Sequence, residues 1–272
     1  MSLKPVTGGV HRTEVVATGT RFVERWRRAP NFPISSALFR PEFRFPDALE
    51  VLDFLRKDDR TRVTLLGEES QAIRTARTLA FRNAPLEEVA AWPFRLVHFD
   101  LHRFYGSFLQ GFQEQVMIPW RVLLSSLGFT WQRCYPILFM SSQGCSSTYH
   151  VDNSHGLVWQ VEGTKRFHSF HEAQRFAPVE AAVQGRITSE RPPPYEPEDL
   201  HHMLMAPGDL LWNHILTPHW VTAESPLTVS VNISHGGLTH QGRLAEREVA
   251  LRRHWDEHPA EPWTSGLRHV RY

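Results

Sequence analysis

The sequence predicts a mainly β domain, built as an antiparallel barrel or sandwich with helices packed on it. The second half of the chain consists of short segments rich in β-branched and aromatic residues and separated by glycine or proline, which is typical of antiparallel strands. The first half instead places apolar residues at helical spacing. A chain of 272 residues suits a single domain with a sizeable core. We therefore divide 1–272 into a mainly helical support region (1–130), a barrel core (131–238) and a C-terminal helix and tail (239–272).

The helix signals lie in the first half. Residues 45–56 begin with Pro46 and Asp47, a common helix start, and continue with apolar residues spaced three and four apart. The same spacing predicts a second helix over 68–81 and one or two more within 101–127. Between the first two helices, residues 61–66 predict a short strand.

The strand signals lie in the second half. Strands are predicted over 134–140, 157–161, 165–170, 210–212 and 227–234. Gly163 supplies the backbone freedom for a tight turn that folds the strand at 157–161 back onto the strand at 165–170. The prolines between 191 and 197 predict an extended surface loop, because successive prolines remove backbone donors.

A last helix is predicted over 242–258, where a few apolar residues stand among many charges. We interpret it as a surface helix packed on the barrel rather than as a dimerisation element, although a homodimer stays open. Cys134 and Cys145 are too few for a disulfide framework and match no paired-cysteine zinc spacing, so we expect buried thiols.

The charge balance and the hydropathy pattern argue against nucleic acid and membranes as binding partners. Thirty lysines and arginines face twenty-nine acidic residues, a net charge of +1 that provides no global field for nucleic acid or an anionic membrane. No apolar run approaches the length that crosses a bilayer, and the first residues lack the apolar core of a signal peptide. We therefore expect a soluble, cytoplasmic protein without a membrane segment, for which a nucleic-acid partner is disfavoured.

A candidate metal site follows from three residues. His150 and Asp152 form a His-x-Asp motif after a predicted strand, and residues two apart on a strand point to the same face. His219 lies sixty-nine residues later, just before the strand predicted at 227–234. Two histidines and one carboxylate that leave coordination positions open suit non-haem Fe(II). Lys165, at the start of a predicted strand, would place an ammonium near this site.

With these residues in place, the chain resembles the JmjC/cupin-like 2-oxoglutarate oxygenases, particularly the group that hydroxylates asparagine in the hypoxia-inducible factor. The match runs from His150 and Asp152 through Lys165 to His219 and Asn232, and covers about residues 134–234. The resemblance implies a double-stranded β-helix, also called a jelly-roll or cupin barrel. It also implies iron bound by His150, Asp152 and His219, and 2-oxoglutarate bound by Lys165, Ser147 and Asn232.

The chain departs from the family pattern at several positions. Gly156 stands where the family often has asparagine, and Asn213 with His214 replaces an Ile-Pro pair before the distal histidine. A tyrosine that often helps to bind 2-oxoglutarate is represented by two candidates, Tyr105 and Tyr135. These differences bear on the substrate, whereas the three metal ligands match.

The predicted function is therefore that of an Fe(II)- and 2-oxoglutarate-dependent dioxygenase. With dioxygen, such an enzyme most simply hydroxylates a C–H bond, here of a peptide or protein side chain or of an amino-acid-like small molecule. The alternative is a non-oxygenase cupin, either a metal-dependent isomerase or a ligand-binding module. The adjacent His201 and His202 are not taken as ligands, because neighbouring residues on a strand face opposite ways.

Overall fold

The computed structural model describes residues 14–28, 31–67 and 71–260. In chain order the helices are α1 (Gly19–Arg28), α2 (Ala48–Lys57), α3 (Gln71–Asn83), α4 (Leu86–Val89), α5 (Ile118–Ser126), α6 (Ala173–Phe176), α7 (Val179–Ala182) and α8 (Glu246–Glu257). The strands are β1 (Asn31–Ile34), β2 (Arg62–Leu65), β3 (Phe94–His98), β4 (Phe129–Thr130), β5 (Arg133–Ser142), β6 (Tyr149–His150), β7 (His155–Glu162), β8 (Lys165–Phe170), β9 (Thr188–Ser189), β10 (Leu200–Met205), β11 (Leu210–Asn213), β12 (His219–Ala223), β13 (Leu227–Gly236), β14 (Thr239–His240) and β15 (Arg243–Leu244).

Two antiparallel sheets form the body of the molecule. The larger sheet has the order β1-β11-β7-β13-β5-β3-β2, and the smaller has the order β10-β8-β12-β6-β9. The chain passes from one sheet to the other at β6–β7, β7–β8, β10–β11, β11–β12 and β12–β13, which is the arrangement of a jelly roll. A cavity lies between the two sheets and is lined by residues of both. The predicted mainly β fold class is therefore confirmed, with helices packed around the barrel.

The first half contains the predicted helices and more strand than expected. Asp47 caps α2, because its carboxylate accepts from the backbone N–H groups of Leu49 and Glu50 at 2.9 and 3.3 Å. The strand predicted at 61–66 is β2, and the helix predicted at 68–81 is α3, with residues 68–70 outside the described ranges. Strands β1 and β3 were not predicted. Both join the larger sheet together with β2, so the first half extends the barrel as well as supporting it.

The segment predicted as one or two helices at 101–127 is more varied than its apolar spacing suggested. A 3-10 turn covers Leu101–Phe104, and a π-helical stretch at Gln113–Met117 runs directly into α5. Buried side chains along this segment pack into the main core: Leu101, Leu109, Phe112, Val116, Trp120 and Leu124. The irregular backbone of this segment is therefore stabilised mainly by the burial of its apolar side chains in the core.

The strands predicted in the second half are β5, β7, β8, β11 and β13, but one predicted pairing is wrong. Gly163 does form a turn with a positive φ of 66°, yet β7 and β8 do not pair with each other. Instead β7 pairs with β11 and β13, while β8 pairs with β10 and β12. The turn carries the chain from one sheet to the other, because in a jelly roll sequential strands lie in opposite layers.

The predicted C-terminal helix is α8, which begins four residues later than predicted and packs against the barrel. Leu251 is fully buried, and the Glu248 carboxylate accepts from the backbone N–H of Gly237 at 2.7 Å. Burial raises the pKa of Glu248, but the hydrogen bond and charge of His155, with the charge of Arg252, outweigh this effect and hold the pKa below its ordinary value. The expected packing of this helix on the barrel is thus observed.

Both cysteines are free and buried, as expected. Among the described residues, no helix is both long enough and apolar enough to cross a membrane.

Candidate metal centre

The two candidate histidine ligands lie on neighbouring strands of the smaller sheet. His150 ends β6 and His219 begins β12, and the two residues are direct partners in the antiparallel register. Asp152 follows β6 by two residues and lies beyond its end, so strand alternation does not place it as the sequence analysis assumed. The short strand β12 was also missed, because its five residues mix aromatic, β-branched and small side chains without a regular alternation. The predicted convergence of the three side chains is nevertheless observed.

The ligand atoms of these three residues point to one place. His150 Nε2 lies 3.6 Å from Asp152 Oδ1, and His219 Nε2 lies 3.6 Å from Asp152 Oδ2. One nitrogen or oxygen from each side chain falls within 4.8 Å of the others. Separations of this size are those of atoms that share one ion at about 2.1 Å each. Among the described residues, no other group of His, Cys, Asp and Glu meets this criterion.

Hydrogen bonds to the backbone fix both imidazoles. His150 Nδ1 lies 2.8 Å from the carbonyl oxygen of Thr148, and His219 Nδ1 lies 2.9 Å from that of Thr217. A carbonyl only accepts, so each Nδ1 carries the proton and donates it, which leaves the Nε2 lone pair free. This is the tautomer that a metal-binding histidine needs, with its orientation set by the other nitrogen.

The third ligand is held by a residue that the sequence analysis had counted only as a departure from the family. Asn213, buried on β11, donates from Nδ2 to Asp152 Oδ2 at 3.0 Å. The backbone oxygen of Asp152 also accepts from the N–H of Leu216 at 2.8 Å. The carboxylate is therefore anchored by the larger sheet, while both histidines belong to the smaller one.

The surroundings of His219 keep its imidazole uncharged and fixed in orientation, as metal binding requires. Burial, followed by the charge of His150, lowers the pKa of His219 to about 4, so the imidazole is neutral at pH 7. Phe167 stacks on the His219 ring with a centroid distance of 4.9 Å and an interplanar angle of 11°. The donor set of two imidazoles and one carboxylate fits a divalent metal with open positions, such as Fe(II).

The site opens into the cavity between the sheets, which has a volume of 480 Å³. Its polar lining includes the three candidate ligands, Lys165, and hydroxyl and amide side chains from both sheets: Ser147, Thr148, Asn153, Ser154, Gln160, Asn213, Ser230, Asn232 and Ser234. Its apolar walls include Ile137, Phe139, Met140, Val158, Phe167, Met205 and Val221. An enclosed site with a few convergent polar groups is typical of small-molecule binding.

Lys165 points into this cavity rather than to solvent. It is only 6% exposed, and its Nζ donates to Ser230 Oγ at 2.8 Å. Burial lowers the pKa of Lys165 to about 7. Among the described residues, no carboxylate pairs with this ammonium, so an anionic ligand entering the cavity would supply its missing counter-charge.

The other predicted cosubstrate residues lie along the same cavity with different partners. Ser147 Oγ accepts from the backbone N–H of Val221 at 2.9 Å, so its oxygen is already held by β12. Asn232, on β13, has an Oδ1 that is buried without a hydrogen-bond partner among the described residues. Of the two tyrosine candidates, Tyr135 lines the cavity, whereas Tyr105 packs in the core with its ring stacked on Phe112.

Sequence reasoning missed Ser230 and Asn213 as parts of this site. Polar residues alternate along 227–234, but the family resemblance pointed to Asn232 rather than to Ser230, which contacts Lys165. Nothing in the sequence signalled the contact of Asn213 with Asp152, because the two residues are 61 positions apart.

The remaining histidines of interest do not join the metal site. His201 is buried and His202 is exposed on β10, as expected for neighbours on a strand. His214, His235 and His240 are buried among aromatic rings of the core, where burial lowers the pKa of each. They contribute to packing rather than to the cavity lining.

Comparisons with known proteins give sequence relatives over part of the chain. No family model matches. HSPB1-associated protein 1 of Rattus norvegicus is 28% identical over 182 residues, which is 56% of this chain and 37% of that protein. The Homo sapiens protein of the same name is 28% identical over 184 residues, or 57% of this chain and 37% of that protein. The chain thus spans little more than a third of the length of these curated relatives.

The similarity to solved structures is more extensive. The Escherichia coli ribosomal oxygenase YcfD matches with a TM-score of 0.55 and 13% identity over 93% of this chain and 69% of that one. YcfD in complex with cobalt and 2-oxoglutarate matches with a TM-score of 0.51 and 13% identity, over 96% of this chain and 60% of that one. At this identity the likeness concerns the fold. The chain therefore shares the fold of these solved structures, and its two main sheets form the predicted jelly roll.

Proposed function

We propose that this protein is an Fe(II)- and 2-oxoglutarate-dependent dioxygenase that hydroxylates a C–H bond of a peptide or protein side chain or of an amino-acid-like small molecule. The observation that carries the proposal is the convergence of His150, Asp152 and His219 in the same cavity as the buried ammonium of Lys165. A metal site alone suits many cupins. A metal site beside an unpaired buried cation specifically suits an anionic chelating cosubstrate.

The residues have separate tasks in this reaction. His150, Asp152 and His219 would hold iron, and Asn213 would keep the Asp152 carboxylate in position. Lys165, supported by Ser230, would bind the distal carboxylate of 2-oxoglutarate. Bound iron with this cosubstrate and dioxygen supplies an oxidative decarboxylation that is coupled to insertion of one oxygen atom into a C–H bond.

The protein's own contribution is positioning and exclusion of water. The apolar walls and the two sheets enclose the reacting groups, and the backbone-fixed imidazoles require no rearrangement before metal binding. Asp152 is the carboxylate of the cavity lining and is assigned to the metal, so we place no separate general base in the site. The names of the structural neighbours and their cobalt and 2-oxoglutarate complexes agree with this assignment.

The test is release of succinate from 2-oxoglutarate in the presence of Fe(II) and ascorbate. We expect slow succinate release without substrate, its increase when a peptide library or cell extract is added, and a mass gain of one oxygen in the modified component. Asp152→Ala should abolish release, whereas Asp256→Ala, on the exposed face of α8, should retain it. If the wild-type protein binds Co(II) but releases no more succinate than Asp152→Ala with any addition, the non-oxygenase cupin alternative is favoured instead.

A further inference from the structure

The cavity continues beyond the metal centre to a second group of charged residues on β2 and β3. Arg62 pairs with Val97, Val97 with Phe139, and Phe139 with Ser230, so one row of paired residues crosses four strands of the larger sheet. All four of these residues line the cavity. Three strand spacings, roughly 14 Å, separate the backbone of β2 from that of β13. The cavity is therefore long enough to hold a substrate as well as the groups around Lys165.

The neighbouring row of paired residues contains Arg95, which pairs with Thr64 on β2 and with Ser141 on β5. Its guanidinium adds a positive charge to the part of the cavity formed by β2 and β3. Thr64, Arg95 and Ser141 all line the cavity. The Nε of Arg95 is buried and has no hydrogen-bond partner in the described part of the chain. Burial also lowers the pKa of Arg95, which means that its charge is held at a cost that no protein carboxylate offsets.

Arg62 is the second cation, and it is held in place by an aromatic ring. Its guanidinium carbon lies 4.6 Å from the centroid of Phe99, which also lines the cavity. Within the described ranges, neither arginine forms an ion pair. The lining thus contains Arg62, Arg95 and Lys165 against a single carboxylate, Asp152, which the metal would use.

We propose that Arg95 and Arg62 form an anion subsite that binds a carboxylate of the substrate, so that the molecule to be oxidised is an acidic amino-acid side chain or a small carboxylic acid. This inference rests on the proposed function, because it assigns Lys165 to the cosubstrate and leaves the arginines for the substrate. A guanidinium binds a carboxylate through two parallel hydrogen bonds, and the partly buried Arg95 disfavours an uncharged amide of the same shape because its Nε–H and charge then stay unpaired, whereas the exposed Arg62 adds a charge at the mouth of the cavity.

A carboxylate fits this end of the cavity better than a nucleic-acid backbone does. The 480 Å³ volume lies between two sheets and must also hold the cosubstrate. A phosphodiester chain is usually bound along an extended basic surface, whereas this protein has a net charge of only +1. Two arginines at one end of a cavity between two sheets match one anionic group on a compact substrate.

The experiment compares carboxylates with their amides on the reconstituted enzyme. Capped pentapeptides with central Asp, Glu, Asn, Gln or Lys, and free N-acetylaspartate and N-acetylglutamate, are tested in two ways. Stimulated succinate release reports turnover, and calorimetric titration into enzyme loaded with Co(II) and 2-oxoglutarate under nitrogen reports binding without turnover. We expect at least one carboxylate probe to bind ten-fold or more tightly than its amide, and the peptide and free-acid arms identify the source of the carboxylate.

Variants assign the effect to the arginines. Arg95→Gln should reduce the carboxylate preference to below three-fold without changing the KM for 2-oxoglutarate, and Arg62→Gln should reduce it in part. Arg95→Lys, which keeps the charge and loses the paired hydrogen bonds, should be intermediate. Arg243→Gln, an exposed residue of β15 outside the cavity lining, should behave as wild type.

The results that overturn the subsite differ from those that overturn the proposed function. Equal binding of carboxylates and amides, or no binding of either, excludes the subsite even when succinate release without substrate is intact. The subsite is also excluded if Arg95→Gln changes only the KM for 2-oxoglutarate. It is likewise excluded if a single-stranded oligonucleotide binds more tightly than every carboxylate probe. A carboxylate preference in calorimetry without any succinate release keeps the subsite and excludes the oxygenase.

Discussion

At the scale of single residues, the candidate centre depends on contacts that hold charged or coordinating groups before any ligand arrives. Asn213 donates to Asp152, and Ser230 accepts from Lys165. Residues of this kind, which orient a ligand without touching the metal, commonly change metal affinity by 10- to 100-fold when they are replaced.

We expect Asn213→Leu to weaken metal binding by roughly 10-fold or more, because it removes the donor to Asp152 Oδ2 while filling a similar volume. The measurement is Co(II) titration followed by visible absorbance, which does not require turnover. Asn83→Leu, at the exposed end of α3, is the matched control and should keep the wild-type affinity. Unchanged Co(II) affinity in a folded Asn213→Leu protein would show that Asp152 is held in place without this contact.

Lys165 makes stability depend on pH in a definite direction. Its pKa in the folded protein is about 7, against 10.5 for the ordinary lysine value, so between these limits the unfolded chain binds more protons. Stability therefore rises as pH increases from about 7 to about 10.5, and below about 7 the full cost of burying the charge applies. Each unit of lowering corresponds to about 1.4 kcal/mol.

Replacing Lys165 with Met should therefore stabilise the protein at pH 7 and remove this part of the pH dependence. The measurement is urea unfolding of wild type and Lys165→Met at pH 7 and pH 9.5, where the difference between the two proteins should shrink as pH rises. Lys57→Met, at the exposed end of α2, serves as the control: it loses the surface ion pair with Asp53, but its difference from wild type should be the same at both pH values. A constant difference across the range would contradict a lowered pKa for Lys165.

At the scale of the element, the close contact of β7 with β13 accounts for one departure from the family pattern. Gly156 leaves room for the side chain of Asn232, whose Oδ1 lies 2.4 Å from where a β-carbon at position 156 would stand. A side chain at 156 and the present conformation of Asn232 therefore exclude each other. The family's asparagine at this position would occupy the space that Asn232 now fills from the neighbouring strand.

Gly156→Ala should consequently displace Asn232 within the cavity rather than unfold the protein, because the obstructing atoms are the end of a movable side chain. We expect a loss of about 1–3 kcal/mol in the free energy of unfolding, together with a raised KM for 2-oxoglutarate. The double variant Gly156→Ala with Asn232→Ala should recover most of the stability that the single change loses. Additive losses in the double variant would show that the two positions do not compete for space.

Local patterns in the sequence were enough for most of the longest helices and strands and for the choice of the candidate ligands. The helix capped by Asp47 and the long strands β5 and β13 have strong periodicity, and each was predicted within a few residues. Short strands such as β6 and β12 carry too few residues for a period to emerge, although they position both histidines. Their placement comes from pairing with β8 and with each other, which is tertiary information.

The same limit explains the wrong turn at Gly163 and the missed site residues. A tight turn between two strands normally indicates a hairpin, but here the turn joins the two sheets, and only the completed barrel specifies which strands then pair. The contacts of Asn213 with Asp152 and of Ser230 with Lys165 cross 61 and 65 positions of sequence. No local pattern encodes such contacts, whereas the His-x-Asp spacing and the polar alternation of β13 are local and were readable.

At the scale of the whole molecule, the two sheets hold different parts of one centre. The smaller sheet provides His150, His219 and Lys165, and the larger sheet provides Asn213 and Ser230. Because the Asp152 carboxylate is anchored from the larger sheet, metal binding is linked to the packing of the two layers. The free energy of binding is therefore expected to appear as resistance to unfolding, because the unfolded chain has no such site.

Co(II) at 100 times its dissociation constant should accordingly stabilise the wild-type protein by about 2.7 kcal/mol. Adding 2-oxoglutarate together with Co(II) should raise the melting temperature by more than the sum of the separate shifts, because the cosubstrate would bind the metal and Lys165 at once. In His219→Ala the Co(II) shift should disappear, and in Lys165→Met the Co(II) shift should persist while the extra shift from 2-oxoglutarate is lost. Purely additive shifts in the wild type would mean that metal and 2-oxoglutarate bind independently, and the two sheets would then not close around a single shared site.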